Sequence, residues 1–204
     1  MWRHGSVVGP FPPTPALHPI VPEVVVKAVP LVLLTLLLEA GCSTFVPPRY
    51  AISADNNAAL KAAGLRPVQL GAFAGFPGFK ANCRTWGPIA PPDHLTFEAT
   101  IRKALKDELQ MASLYDERAP VTLTGKVDHL AFSTTTGVLG GTWDITLTLA
   151  SSNGRTLTTR EHYEFKSGYV ADTACKQTAE AFNGAVQDLI GKIAKSPDFK
   201  ALTQ

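Results

Sequence analysis

The chain has 204 residues and a formal net charge of +2, from 19 basic and 17 acidic side chains. That balance, with no Lys/Arg cluster, excludes a protein that binds nucleic acid through phosphate electrostatics. Residues 42–204 have the length of a single domain, for which one core is expected.

Met1 to Glu23 carries six prolines and no hydrophobic period, a composition that forms neither helix nor central strand. We expect residues 1–23 to be an untranslated or disordered lead, with translation starting at one of Val24, Val25 and Val26. From Val24 the chain reads "VVVKAVPLVLLTLLLEAGCS". Its apolar core is shorter than the roughly 20 residues needed to cross a membrane. Lys27, Val29–Leu38 and Ala40-Gly41 supply in order the basic region, apolar stretch and small-residue site of a secretory signal, so residues 24–41 are expected to be a signal peptide. The ending "LEAGCS" resembles the lipobox of bacterial lipoproteins, with Ala40, Gly41 and Cys42 matching and Glu39 standing where leucine is usual. The resemblance implies cleavage before Cys42 and acylation of that residue. Ordinary cleavage after Ala40, leaving Cys42 as a free thiol, is the alternative.

Three cysteines make an odd count. If Cys42 carries lipid, Cys83 and Cys175 remain as a pair, and in an oxidising periplasm a disulfide is expected. No neighbouring histidine makes a zinc site of them.

Residues 42–66 are polar, include Pro47-Pro48 and show no period, which predicts a tether. A first strand is expected over Pro67–Ala74. A Gly/Pro-rich loop with Phe76, Phe79 and Trp86 follows, pinned at Cys83. Thr96 is placed to cap a helix whose apolar stripe is Phe97, Ile101, Leu105 and Leu109. "VTLTGKVDHLAF" alternates up to Asp128 and then slips phase, as a bulge requires. "TWDITLTLA" alternates throughout, with Trp143, Ile145, Leu147 and Leu149 on one face and Thr142, Asp144, Thr146 and Thr148 on the other. Asn153-Gly154 signals a hairpin into "TLTTREHYEFKS". Thr173 is then expected to cap a last helix with the stripe Cys175, Ala179, Phe182, Val186, Leu189 and Ile193.

The order β-α-β-β-β-α predicts one α+β domain over 67–204. It is a two-layer sandwich of a mixed sheet with both helices on one face, the other face being wet and threonine-rich. With the lipobox-like leader, this order resembles small proteobacterial lipoproteins whose domain is similar to the TolB amino-terminal domain. The resemblance implies a periplasmic protein, and Ser43 after the acylated cysteine implies the outer membrane.

Catalytic machinery is not legible. His94, His129 and His162 each have an acidic neighbour, but adjacency on a strand sends side chains to opposite faces. Gly137, Gly140 and Gly141 lack the GK[ST] ending of a phosphate loop. No cofactor, metal site or catalytic residue is expected. Large apolar groups on a Gly/Pro-rich loop make Phe76, Phe79 and Trp86 candidate partner-binding residues, or else caps on the core. Thr146 and Thr148 are candidates on the sheet face. The reading is an exported, lipid-anchored, non-enzymatic binding or assembly accessory that contacts the membrane through its acyl anchor and an envelope protein of unknown identity. The alternatives are a lipoprotein subunit of an envelope transport system and an envelope hydrolase with dispersed active-site residues.

Overall fold

The computed structural model describes residues 44–137 and 139–204. The lead, the signal segment and Cys42 lie outside them. Helix α1 (Ala54–Ala62) precedes strand β1 (Gln69–Ala74), and the two-residue strands β2 (Asn82–Cys83) and β3 (Gly87–Pro88) form a small hairpin. Helix α2 (Phe97–Met111) follows, then β4 (Thr122–Thr136), β5 (Gly140–Ser151), β6 (Thr156–Lys166), the long α3 (Ala171–Lys195) and the short α4 (Pro197–Leu202).

The main sheet runs β1-β4-β5-β6, with β1 parallel to β4 and the remaining pairs antiparallel. The predicted α+β fold, a crossover through α2 into a three-stranded meander, is the one observed. Period-two alternation in β5 buries Trp143, Ile145, Leu147 and Leu149 almost completely. They meet the stripes of α2 (Ile101, Leu105, Leu109) and α3 (Phe182, Val186, Leu189, Ile193) in one core. The Trp143 indole nitrogen donates to the Thr178 carbonyl at 2.8 Å, so its one polar atom is satisfied where it is buried. Thr96 caps α2 as expected, its hydroxyl accepting from the Ala99 amide.

The phase slip in β4 is a bulge. Val127 pairs with Leu147 and His129 with Thr146, so Asp128 is the extra residue. At the Asn153-Gly154 turn the Gly154 amide donates to Ser151 O at 3.0 Å, and Gly154 takes φ +87°, a conformation glycine adopts without strain. Asn153 also donates to the carbonyls of Ala201 and Gln204, both at 2.9 Å, and so fastens the carboxyl terminus to this hairpin.

Two expectations are corrected. The segment assigned as a tether, residues 42–66, is largely built into the domain. Phe45 is buried and bridges Ile89, α1 begins at the Ser53 cap, and Leu60 is fully covered. Helix α1 lies across α2 and α3, where Asn56 donates to Gln187 O at 2.8 Å. The close approach uses Gly191, since a Cβ there would stand 2.7 Å from the Asn56 side-chain oxygen. The last helix starts earlier than Thr173, because the Val170 carbonyl already accepts from the Ala174 amide at 2.9 Å. Asp172 sits in its first turn, where the helix dipole favours an acid.

Candidate functional site

The sheet face opposite the helices is uncovered among the described residues. Thr124, Lys126, His129, Thr158, Arg160, His162 and Glu164 are exposed, and Thr122, Asp144, Thr146 and Thr148 are half-buried between them. Thr142 is the exception and is buried. Adjacent strands put Thr148 opposite Thr158, Thr146 opposite Arg160 and Asp144 opposite His162.

Two small polar networks order this face. The bulge turns Asp128 toward β5, where Thr148 donates to its carboxylate at 2.6 Å. Thr158 then serves as donor to Thr148 at 2.8 Å, and the Lys126 ammonium approaches Asp128 at 2.9 Å. Hydrogen bonds from Thr148 and then Lys126 hold the Asp128 carboxyl below the usual carboxylate range. In the second network the His162 Nδ1 lies 2.6 Å from the Asp144 carboxylate, with Glu164 at 3.5 Å from Nε2. The bond to Asp144 raises the imidazole above its ordinary value.

The three histidines of the described residues occupy separate places. His94 lies in a short 3₁₀ turn, His129 on β4 and His162 on β6. Strand β5 lies between the last two, which are two inter-strand spacings, about 10 Å, apart across the sheet and offset by two residues along it, His129 pairing with Thr146 and His162 with Asp144. The fold therefore gives His162 a carboxylate partner and brings no second histidine to it.

The aromatic loop is divided by the fold. Phe79 is half-buried against the core, with its ring 4.7 Å from Phe97, 6.0 Å from Phe132 and 6.2 Å from Trp143. Phe76 lies 5.5 Å from the His129 ring. It walls an open cleft of about 290 Å³ together with Phe79, Phe97, Val127, Leu130 and, at the lip, Glu98. Trp86 is outside the cleft, half exposed on the turn between β2 and β3. Composition alone puts all three in one loop, whereas the fold packs Phe76 and Phe79 against the core and leaves Trp86 exposed on the hairpin turn.

Cys83 and Cys175 are joined by a disulfide, with Cα atoms 5.7 Å apart. The bond fastens the β2–β3 hairpin to the first turns of α3, and both cysteines are fully buried.

No family model and no curated protein matches the sequence. Among solved structures, a Xanthomonas campestris protein of family DUF330 is similar at TM-score 0.48 and 8% identity, over 74% of this chain and 95% of that one. A provisionally described lipoprotein from Caulobacter crescentus is similar at TM-score 0.38 and 12% identity, over 69% and 90%. A hypothetical protein from Chlamydia trachomatis reaches TM-score 0.37 at 7% identity, over 64% and 96%. The likeness to the TolB amino-terminal domain continues to rest on element order alone.

One feature that sequence reasoning missed is Glu108. It is completely buried in α2, and one carboxylate oxygen accepts from the Tyr50 hydroxyl at 2.7 Å and from the Ser53 amide at 2.8 Å. The signal was present, since Glu108 falls in phase with Ile101, Ala104 and Leu105 on the apolar stripe, where a carboxylate requires partners. Its role is to hold the segment leading into α1 against α2.

Proposed function

We propose that the protein is an exported envelope component, acylated at Cys42, that acts without catalysis as a binding or assembly accessory on the periplasmic side of the outer membrane. The observation that carries the reading is the pairing of Cys83 with Cys175. Disulfides persist in oxidising compartments. This one uses both cysteines of the folded domain and leaves Cys42, at the end of the lipobox-like run, as the residue available for lipid. No helix among the described residues is long and apolar enough to cross a membrane, so the acyl group supplies the attachment in this reading. Two or more acyl chains give stable anchoring.

The uncovered sheet face is where a protein partner docks in this reading, since it offers a rigid surface of threonines and paired charges centred on Thr146 and Thr148. The test has two parts. Membrane fractions of cells expressing the wild type and Cys42→Ala are compared, with the variant expected in the soluble periplasmic fraction; an unchanged membrane fraction refutes acylation. A photo-crosslinker at Thr146 is expected to capture an envelope protein that one at Lys61, on the helical side, does not. Equal capture from both positions refutes docking on the sheet.

A further inference from the structure

One end of the domain gathers what a membrane-facing surface needs. The β4–β5 turn, the connection from β6 to α3 and the β2–β3 hairpin all lie there. The Ser167 amide donates to Leu139 O at 3.0 Å. The Arg84 guanidinium donates to the Tyr169 carbonyl and to the Thr134 hydroxyl, each at 3.0 Å. Four large apolar side chains project from this end, Trp86 at 49% exposure, Leu139 at 59%, Tyr169 at 86% and Val170 at 63%. They are four of the seven exposed large hydrophobics among the described residues, so the exposed apolar surface is concentrated rather than scattered. Exposed Arg84 and Lys166 flank them, with Asp172 as the acid of the adjoining helix turn.

The amino-terminal segment enters the domain at the same end. Phe45 pairs in parallel with Ile89, its amide donating to Pro88 O at 2.9 Å and its carbonyl accepting from Ala90 N at 3.0 Å. Parallel pairing means that the chain traced back from Phe45 to Thr44 heads toward Gly87 and Trp86. Three Cα–Cα steps of about 3.8 Å separate Phe45 from Cys42, which limits the reach to about 11 Å. A domain tethered that closely is held against its bilayer.

We infer that this end, with Trp86, Leu139, Tyr169 and Val170 at its tip, sits in the headgroup region of the membrane that carries the Cys42 acyl chains. The inference rests on the acylation proposed above. Tryptophan and tyrosine favour the membrane interface because each ring is apolar with one polar atom, and Arg84 and Lys166 add attraction to anionic headgroups. The domain is thereby oriented with its helical layer and its polar sheet face both standing along the membrane normal, and the Asn153-Gly154 hairpin points away from the bilayer.

The test uses the mature acylated protein, cleaved before Cys42, in vesicles of phosphatidylethanolamine and phosphatidylglycerol, with brominated acyl chains as quenchers. Emission from Trp86 is expected to shift to the blue and be quenched, and Trp86→Phe removes the quenched component, leaving buried Trp143. A tryptophan placed at the far end, Arg155→Trp in the Trp86→Phe background, is expected to stay unquenched. Vesicle-bound protein whose Trp86 is unquenched overturns the orientation while leaving acylation standing. A blue shift without quenching marks a protein contact and overturns it too. Equal quenching at positions 86 and 155 overturns it as well. Failure to bind vesicles overturns the anchoring reading, and this inference with it.

Discussion

The Tyr50 hydroxyl donates to the buried Glu108 carboxylate at 2.7 Å, and this bond makes an apparently featureless polar segment part of the fold. Glu108→Ala removes the acceptor from the Tyr50 hydroxyl and the Ser53 amide. Leaving a buried donor unpaired costs about 1–3 kcal/mol, so we expect a loss of about 3 kcal/mol in urea unfolding. Protease cleavage between Pro48 and Ala54 is expected to accelerate in parallel. Unchanged stability would mean that the segment docks without this carboxylate.

Alkaline pH probes the same contact. Burial, and then the bond to Glu108, raise the Tyr50 phenol above its ordinary value of 10.0. The folded state therefore favours the neutral phenol, and its contribution is complete below pH about 10 and is lost as pH rises toward the folded value. Wild-type stability is expected to fall above pH about 10 more steeply than that of Tyr50→Phe. Parallel pH profiles would remove the assignment.

The Cys83–Cys175 bond spans a sequence separation of 92. Loop entropy assigns such a closure about 4–5 kcal/mol. Reduction, or Cys175→Ser, is expected to lower stability by up to this amount and to free the β2–β3 hairpin, whose own pairing is only two residues long. Mass spectrometry under non-reducing conditions should find no free thiol at either position.

Legibility in the sequence follows from how much of an element is buried. Strand β5 could be read residue by residue because one face is in the core and the other is open, so each side chain reports its direction. The disulfide followed from parity and from the place of Cys175 on the α3 stripe. Helix α1 was hidden because "ADNNAALKA" buries Asn56 and Leu60 alone. One of its two anchors is polar, and it relies on Gly191 some 130 residues away. Helix α4 has six residues, too few for a period. At the aromatic loop, composition identified Phe76, Phe79 and Trp86 together, but tertiary packing lays Phe76 and Phe79 half-buried against the core in one cleft and leaves Trp86 exposed on the hairpin turn.

His162 and Asp144 form an exposed cross-strand pair whose ionisation is directly measurable. The bond to Asp144 stabilises the imidazolium, so the folded pKa lies above the ordinary value of 6.5. Its contribution is complete below that value and disappears as pH rises through the folded one. NMR titration is expected to place His162 above 6.5 in the wild type and to return it toward 6.5 in Asp144→Asn. No difference between the two proteins would show that the pair is open in solution.

The docking face can be separated from the fold by the sign of a charge placed at Thr148. Its hydroxyl donates to Asp128 at 2.6 Å, so Thr148→Glu sets a carboxylate against another, whereas Thr148→Lys offers Asp128 a second cation. Cross-strand charge pairs act at about 0.2–1 kcal/mol. We therefore expect Thr148→Lys within about 0.5 kcal/mol of wild type and Thr148→Glu less stable by about 1 kcal/mol. Thr146 has no hydrogen bond to lose among the contacts found on this face, and Thr146→Lys, which sets an ammonium opposite Arg160, is expected to cost about 0.2–1 kcal/mol. A partner that docks here meets two new ammonium groups in the double lysine variant, and its yield on a photo-crosslinker at exposed Thr124, a position both substitutions leave in place, should drop severalfold while the domain still unfolds cooperatively. Undiminished crosslinks in a double variant that folds normally would take the partner off this face and leave the two-layer architecture intact.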